Sequence, residues 1–183
     1  MATSPHLVET LAQHPPHHEA HGFAAKNTIY ITAPGNPPTA TAQMHVRAGV
    51  GKKSGKPFVY KTQSDISKKY ALVIDALKTH APKDPIEGPV ALTIILYYPW
   101  RKEDLKTVAD RAKRDKTGYW EWHTTKPDAG NIKKEIEDQM TSLRYWIDDA
   151  QVCDPRVLKV RTKYPRVEII VKELGEPEVC QTL

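Results

Sequence analysis

Residues 128–152 read DAGNIKKEIEDQMTSLRYWIDDAQV. Ile132, Ile136, Met140 and Leu143 recur at three- and four-residue intervals, the spacing that aligns one apolar face of an α-helix. The pattern predicts a helix over 131–144. At about 100° per residue, Asn131, Lys134 and Asp138 gather on roughly the opposite face. Acidic residues bracket this helix: Asp128 stands ahead of it, and the adjacent pair Asp148 and Asp149 follows it. Adjacent carboxylates repel, and burying them is costly without a cation or hydrogen-bond donors. Two readings follow. One is a solvated loop closing a helix, with Lys134 and Asp138 an ordinary i,i+4 pair worth about 0.2–0.5 kcal/mol. The other is a divided metal site, since carboxylates near an amide and a lysine suit a hard divalent ion such as Mg²⁺. A helix of about 14 residues is roughly 20 Å long, so its ends meet at one ion only if the flanking loops fold back.

Upstream, residues 28–32 alternate like a strand and run into the turn-forming stretch 33–38, APGNPP. Residues 47–61 place Arg47, Lys52, Lys53, Lys56 and Lys61 among Gly49, Gly51, Ser54 and Gly55, which reads as a mobile basic loop. Such a loop either tracks a phosphate backbone or is simply solvated. Residues 64–80 predict an amphipathic helix with Ile66, Tyr70, Val73, Ile74 and Leu77 on its apolar face and Ser64 as N-cap. A β-rich run covers 89–98, residues 101–116 form a charged excursion or short exposed helix, and 119–123, YWEWH, reads as a short aromatic strand. Trp120 and Trp122 are packing groups or base-stacking platforms. Two β-rich segments, 156–163 and 166–173, are predicted to form a hairpin around Pro165. Strands and helices in this irregular order indicate an α+β fold, a small mixed sheet with two main helices.

The chain has 183 residues and a formal charge of +5, consistent with a polyanionic partner. Residues 1–26 hold five histidines and Pro15–Pro16 and read as a flexible tail, with 27–175 as one domain and 176–183 as a C-terminal tail. The longest apolar run is far shorter than a membrane helix, and the first 25 residues lack the basic start and apolar middle of a signal peptide. A soluble, cytoplasmic protein is expected. Cys153 and Cys180 form no C-x-x-C pair, which argues against a zinc ribbon and a disulfide framework.

Lys126-Pro-Asp-Ala-Gly-Asn-Ile-Lys-Lys134, the helical Asp138, and then Trp146-Ile-Asp-Asp-Ala-Gln-Val152 resemble the RusA family of Holliday junction resolvases. That family's motif is similar to [RK]-P-D-x-D-N-x-x-K, followed by a helix with an internal Asp and a D-D-x-Q-V/I element. The resemblance implies an intertwined homodimeric, Mg²⁺-dependent endonuclease, with Mn²⁺ as a substitute, that binds four-way DNA junctions and nicks them symmetrically in recombination and repair. It implies catalytic roles for Asp128, Asp149 and Lys134, with metal held by Asp128, Asp149 and Asp148. Asn131 and Asp138 are accessory, and the basic residues of 47–61 serve to hold DNA. One position departs from the motif: its second aspartate falls on Gly130. Three accounts stay open. Asp148, Asp138 or water completes the coordination; the chain binds junctions with impaired cleavage; or the glycine is an introduced substitution.

Overall fold

The computed structural model describes residues 25–39, 46–50, 54–61 and 64–175; side chains within 46–48, 58–61 and 64–69 are not described. Residues 1–24 and 176–183 lie outside it, and with them most of the expected N-terminal tail and all of the C-terminal one. The elements run β1 (Ala25–Pro34), β2 (Val46–Val50), β3 (Pro57–Lys61), α1 (Ser64–His80), β4 (Val90–Pro99), α2 (Val108–Arg114), β5 (Trp120–Trp122), α3 (Ala129–Ser142), β6 (Val152–Thr162) and β7 (Arg166–Leu174). Short 3-10 turns at Lys102–Leu105 and Asp149–Gln151 precede α2 and β6. The α+β architecture is as expected.

Five strands form one mixed sheet in the order β1-β7-β4-β6-β5. Only the β4–β6 pair is parallel. β4 sits at the centre, and its VALTIILYYP run is buried along nearly its whole length, the pattern of a strand covered on both faces. Val90, Leu92, Ile94, Leu96 and Tyr98 face the main core, where α1 contributes Tyr70, Val73 and Leu77 and α3 contributes Ile132, Ile136 and Met140. Ile95 and Tyr97 face the other way, joining Val160, Trp120 and Leu158 in a smaller cluster. Two buried tyrosines tie peripheral backbone to this core. Tyr145 donates to Leu77 O at 2.6 Å, and Tyr98 donates to Pro38 O at 2.9 Å.

Two expectations need correction. The described residues of the 47–61 stretch form not a loop but a two-stranded hairpin, β2 pairing antiparallel with β3 from Val46↔Lys61 to Val50↔Pro57. Gly55 takes the left-handed φ of 64° in its connection. Between the lysines and glycines stand Val46, Val50, Phe58, Val59 and Tyr60, residue types that favour strands. Nor do β6 and β7 form a hairpin, because β4 lies between them. The connection 163–165 hops over the end of β4, from Thr162 opposite Pro99 to Arg166 opposite Tyr97. Crossing two strand spacings needs roughly 10 Å, and four Cα–Cα steps reach about 14 Å. A loop of that length is thus compatible with either topology, and Pro165 could not discriminate.

Candidate functional site

α3 begins at Ala129, two residues earlier than its apolar spacing alone indicates, because Asp128 caps it. The Asp128 Oδ1 accepts from Gly130 N–H at 3.0 Å, satisfying one of the unpaired amides of the first turn. At its other end α3 closes in a Schellman motif. Tyr145 N–H donates to Met140 O and Arg144 N–H to Thr141 O, with Arg144 in the left-handed region at φ 60°. This reversal sends the chain into Tyr145 and Trp146, both fully buried, and anchors the exit of the helix to the core. Trp146 also forms a parallel bridge with Ile86.

The two aspartates that follow are exposed and differ in role. The Asp148 Oδ1 accepts from Ala150 N–H at 2.8 Å and caps the 3-10 turn. Among the described residues the Asp149 carboxylate has no hydrogen-bond or ion-pair partner. Gln151 locks this turn in place. Its oxygen accepts from Ile147 N–H (2.8 Å) and Asp148 N–H (3.0 Å), while its amide donates to Ile86 O (2.9 Å) and Gly88 O (3.0 Å).

Lys134 and Asp138 are paired at 3.0 Å, both more than half exposed. The hydrogen bond to Asp138 raises the Lys134 pKa, and the Asp149 carboxylate adds to that rise. The turn after α3 thus returns the second aspartate to the neighbourhood of the helical lysine, which the length of the helix alone does not permit. Asn131 lies half-buried in the first turn of α3.

The approach to Asp128 is held by residues that carry no local sequence signal. Lys159 Nζ on β6 donates to Thr125 O (2.7 Å) and Pro127 O (2.6 Å), the latter 32 residues away. Desolvation lowers the Lys159 pKa against the opposing pull of Asp128. Arg161 donates to Pro99 O at 2.8 Å and to Thr125 Oγ1 at 3.4 Å. His123 is buried and stacks on Tyr98 with ring centroids 4.5 Å apart. Desolvation, reinforced by Arg161, Lys159 and Arg101, lowers its pKa to about 4.

The donors available to a cation are all oxygens, the chemistry that suits a hard divalent ion. Yet among the described residues no set of three acidic, histidine or cysteine side chains gathers closely enough to hold a metal. Gly130 supplies no carboxylate in the first turn of α3. Asp128 commits one oxygen to its cap and keeps the other. The residues present fit only an open site, to which Asp128 or Asp149 would give a ligand or two and water and phosphate the rest, the usual habit of Mg²⁺. They do not fit a closed three-carboxylate cage. Of the residues expected to hold DNA, Lys56 is exposed in the β2–β3 connection. Arg47 lies on β2 and Lys61 on β3, while Lys52 and Lys53 fall outside the described residues.

The family model for Endodeoxyribonuclease RusA matches residues 34–172. The chain belongs to the RusA family. Its relatives include the crossover junction endodeoxyribonuclease rusA of Lactococcus phage r1t, 30% identical over 128 residues, covering 69% of this chain and 86% of that protein. The uncharacterized protein YqaN of Bacillus subtilis (strain 168) is 35% identical over 96 residues, 52% of this chain and 66% of that protein. The crossover junction endodeoxyribonuclease RusA of Escherichia coli (strain K12) is 43% identical over 49 residues, 26% of this chain and 41% of that protein. The RusA match spans every strand of the large sheet apart from most of β1 and the last residues of β7, together with both arms of the site. Among the described residues no helix is long and apolar enough to cross a membrane.

Proposed function

We propose that this RusA-family chain is a structure-specific endonuclease that binds four-way DNA junctions and nicks them symmetrically, acting as a homodimer in the cytoplasm of a bacterial or phage-infected cell. The observation that carries this reading is the return of Asp149 to Lys134 on the helix that Asp128 caps. Two sequence segments that the family pairs are thereby arranged around one helix. Asp128 and Asp149 would hold a divalent ion, Mg²⁺ or Mn²⁺, with Asp148 shaping the turn. When bound, such an ion lowers the pKa of a coordinated water and neutralises charge on the phosphoryl oxygens. Lys134 offers its ammonium to the developing negative charge once it leaves Asp138. The exposed Lys56 and its basic neighbours contribute salt-sensitive, sequence-independent affinity. A twofold dimer matches the near-twofold symmetry of a four-way junction.

Gly130 favours a second reading, a junction-binding protein with impaired cleavage. One assay separates the two. Purified protein is incubated with a synthetic four-way junction and with a linear duplex of the same sequence, in Mg²⁺ or Mn²⁺. Paired nicks in the junction alone, lost in Asp149→Asn, are expected. Tight junction binding with no nicking at any metal concentration establishes the impaired form, and equal affinity for duplex and junction removes both readings.

A further inference from the structure

Two cations on β6 take no part in the family motif: Lys159 lies close to Asp128, and Arg161 reaches Thr125 in the segment before it. The register sets Lys159 opposite Leu96 and Arg161 opposite Tyr98, so both rise from the sheet face that the helices cover. Lys159 gives two N–H groups to Thr125 O and Pro127 O. An ammonium carries three donors, and among the described residues the third has no acceptor. Arg161 likewise donates to Pro99 O and Thr125 Oγ1, two uses for the five donors of a guanidinium.

These idle donors lie among charges of both signs: Asp128 acts on Lys159, and Asp104 and Glu103 act on Arg161. Lys159 and Arg161 are each half-buried, and each is close enough to cationic neighbours for their charges to oppose its own: Arg161 acts on Lys159, and Arg101 on Arg161. The third cation, Arg101, is already paired with Asp104 at 2.8 Å. His123 is packed against the same segment, 6% exposed, and its Nδ1 has no hydrogen-bond partner among the described residues. Nothing in its ring supplies a compensating negative charge. Asp128 is the carboxylate that attracts Lys159. Partly desolvated like charges held together by main-chain tethers are stabilised by an incoming anion. A planar guanidinium fork beside a lysine point charge matches a phosphate in particular.

We propose that Lys159 and Arg161 form a receiving site for one DNA phosphodiester beside Asp128. The third N–H of Lys159 takes one non-bridging oxygen, and the Arg161 guanidinium takes another. Because Lys159 also ties down the carbonyls of Thr125 and Pro127 ahead of Asp128, a single β-strand positions both the phosphate and the capping carboxylate. This rests on the reading of the protein as a junction-binding RusA homologue, but it does not require that the site cleave.

The test is the salt dependence of DNA binding, measured in EDTA so that no strand is cut, by fluorescence anisotropy on a labelled four-way junction and a linear duplex. The slope of log K against log salt becomes shallower by about 0.9 for each phosphate that the protein no longer neutralises. Lys159→Met and Arg161→Gln are each expected to weaken binding and make the slope shallower, the double variant by about 0.9 in all, the share of one phosphate, and Lys159→Arg to keep the slope of the parent. A drop in affinity with an unchanged slope in both single variants means a structural role only and overturns the proposal. Circular dichroism monitors folding, and should Lys159→Met fail to fold, Arg161→Gln decides alone. If the parent protein binds duplex and junction equally, the junction reading falls while the slopes on duplex still judge this site. If it binds neither, both fall.

Discussion

Asp128 Oδ1 accepts from the Gly130 N–H at 3.0 Å, so the leading aspartate of the site and the residue that departs from the family motif belong to the same helix cap. A Cβ built at Gly130 meets only that oxygen, at an ordinary 3.7 Å. The first turn is also where an acidic side chain is favoured by the helix dipole.

Gly130→Asp is therefore expected to fold with a melting temperature within about 3 °C of the parent, since the gain in helix propensity and dipole energy, about 0.5–1 kcal/mol, is opposed by the nearby Asp128. Metal-dependent junction cleavage should rise at least about tenfold, equivalent to about 1.4 kcal/mol of barrier. Single-turnover rates across a Mg²⁺ titration measure this. An unchanged rate would show that the coordination is completed without position 130.

Gln151 joins the Asp148–Asp149 turn to the segment before β4 by four hydrogen bonds. Gln151→Leu keeps most of the side-chain volume and removes all four. The expected destabilisation is about 2 kcal/mol, because water reaches part of the vacated backbone. Urea denaturation should show a lower midpoint at an unchanged slope. Cleavage should fall further than stability predicts, since Asp149 loses its fixed position beside Lys134.

Arg144 holds φ 60° at the close of α3, a conformation that costs a side-chain-bearing residue about 1–2 kcal/mol relative to glycine. Arg144→Gly should stabilise the fold by about 1 kcal/mol, less the entropy that glycine adds to the unfolded chain. Thermal melting checks it. Arg144 is exposed and outside the site, so junction cleavage should be unchanged.

The largest downward shifts in the acid range are those of His123 and Asp104, with Asp110 and Glu121 lowered as well. Desolvation lowers His123 from 6.5 to about 4; the unfolded chain then binds the extra proton first, and stability present above pH 6.5 is lost as pH falls towards 4. The hydrogen bond from Arg101 lowers Asp104 from 3.8 to about 2, so its contribution persists above pH 3.8 and is lost towards pH 2. Melting temperature should therefore fall in two stages on acidification. His123→Phe, which preserves the stack on Tyr98, should flatten the first stage and leave the second.

Much of this architecture is written locally. The Ser64–His80 helix, the apolar face of α3 and the buried run of β4 follow from side-chain periodicity, because burial of one stripe or two faces constrains residues three, four or two apart. The two halves of the motif, with Asp128, Lys134 and Asp149 in their spacing, are legible through their resemblance to the RusA family rather than through periodicity. What periodicity does not encode is adjacency between distant segments. A three-residue connection serves a hairpin or a hop across β4 equally well, and only the pairing of β4 with both β6 and β7 chose between them.

The same boundary runs through the site. Sequence alone determined the apolar face of the helix, the lysine on its surface and the acidic pair after it, and the resemblance to the RusA family marked the absent carboxylate at Gly130. The tertiary structure decided that Asp128 caps the helix, that Asp149 comes back towards Lys134, that Gln151 pins its turn, and that Lys159 and Arg161 hold the segment leading into Asp128. Those relationships depend on packing α3 against the central sheet, where burial of Ile132, Ile136 and Met140 fixes the helix over β6 and so brings together charges that lie far apart along the chain.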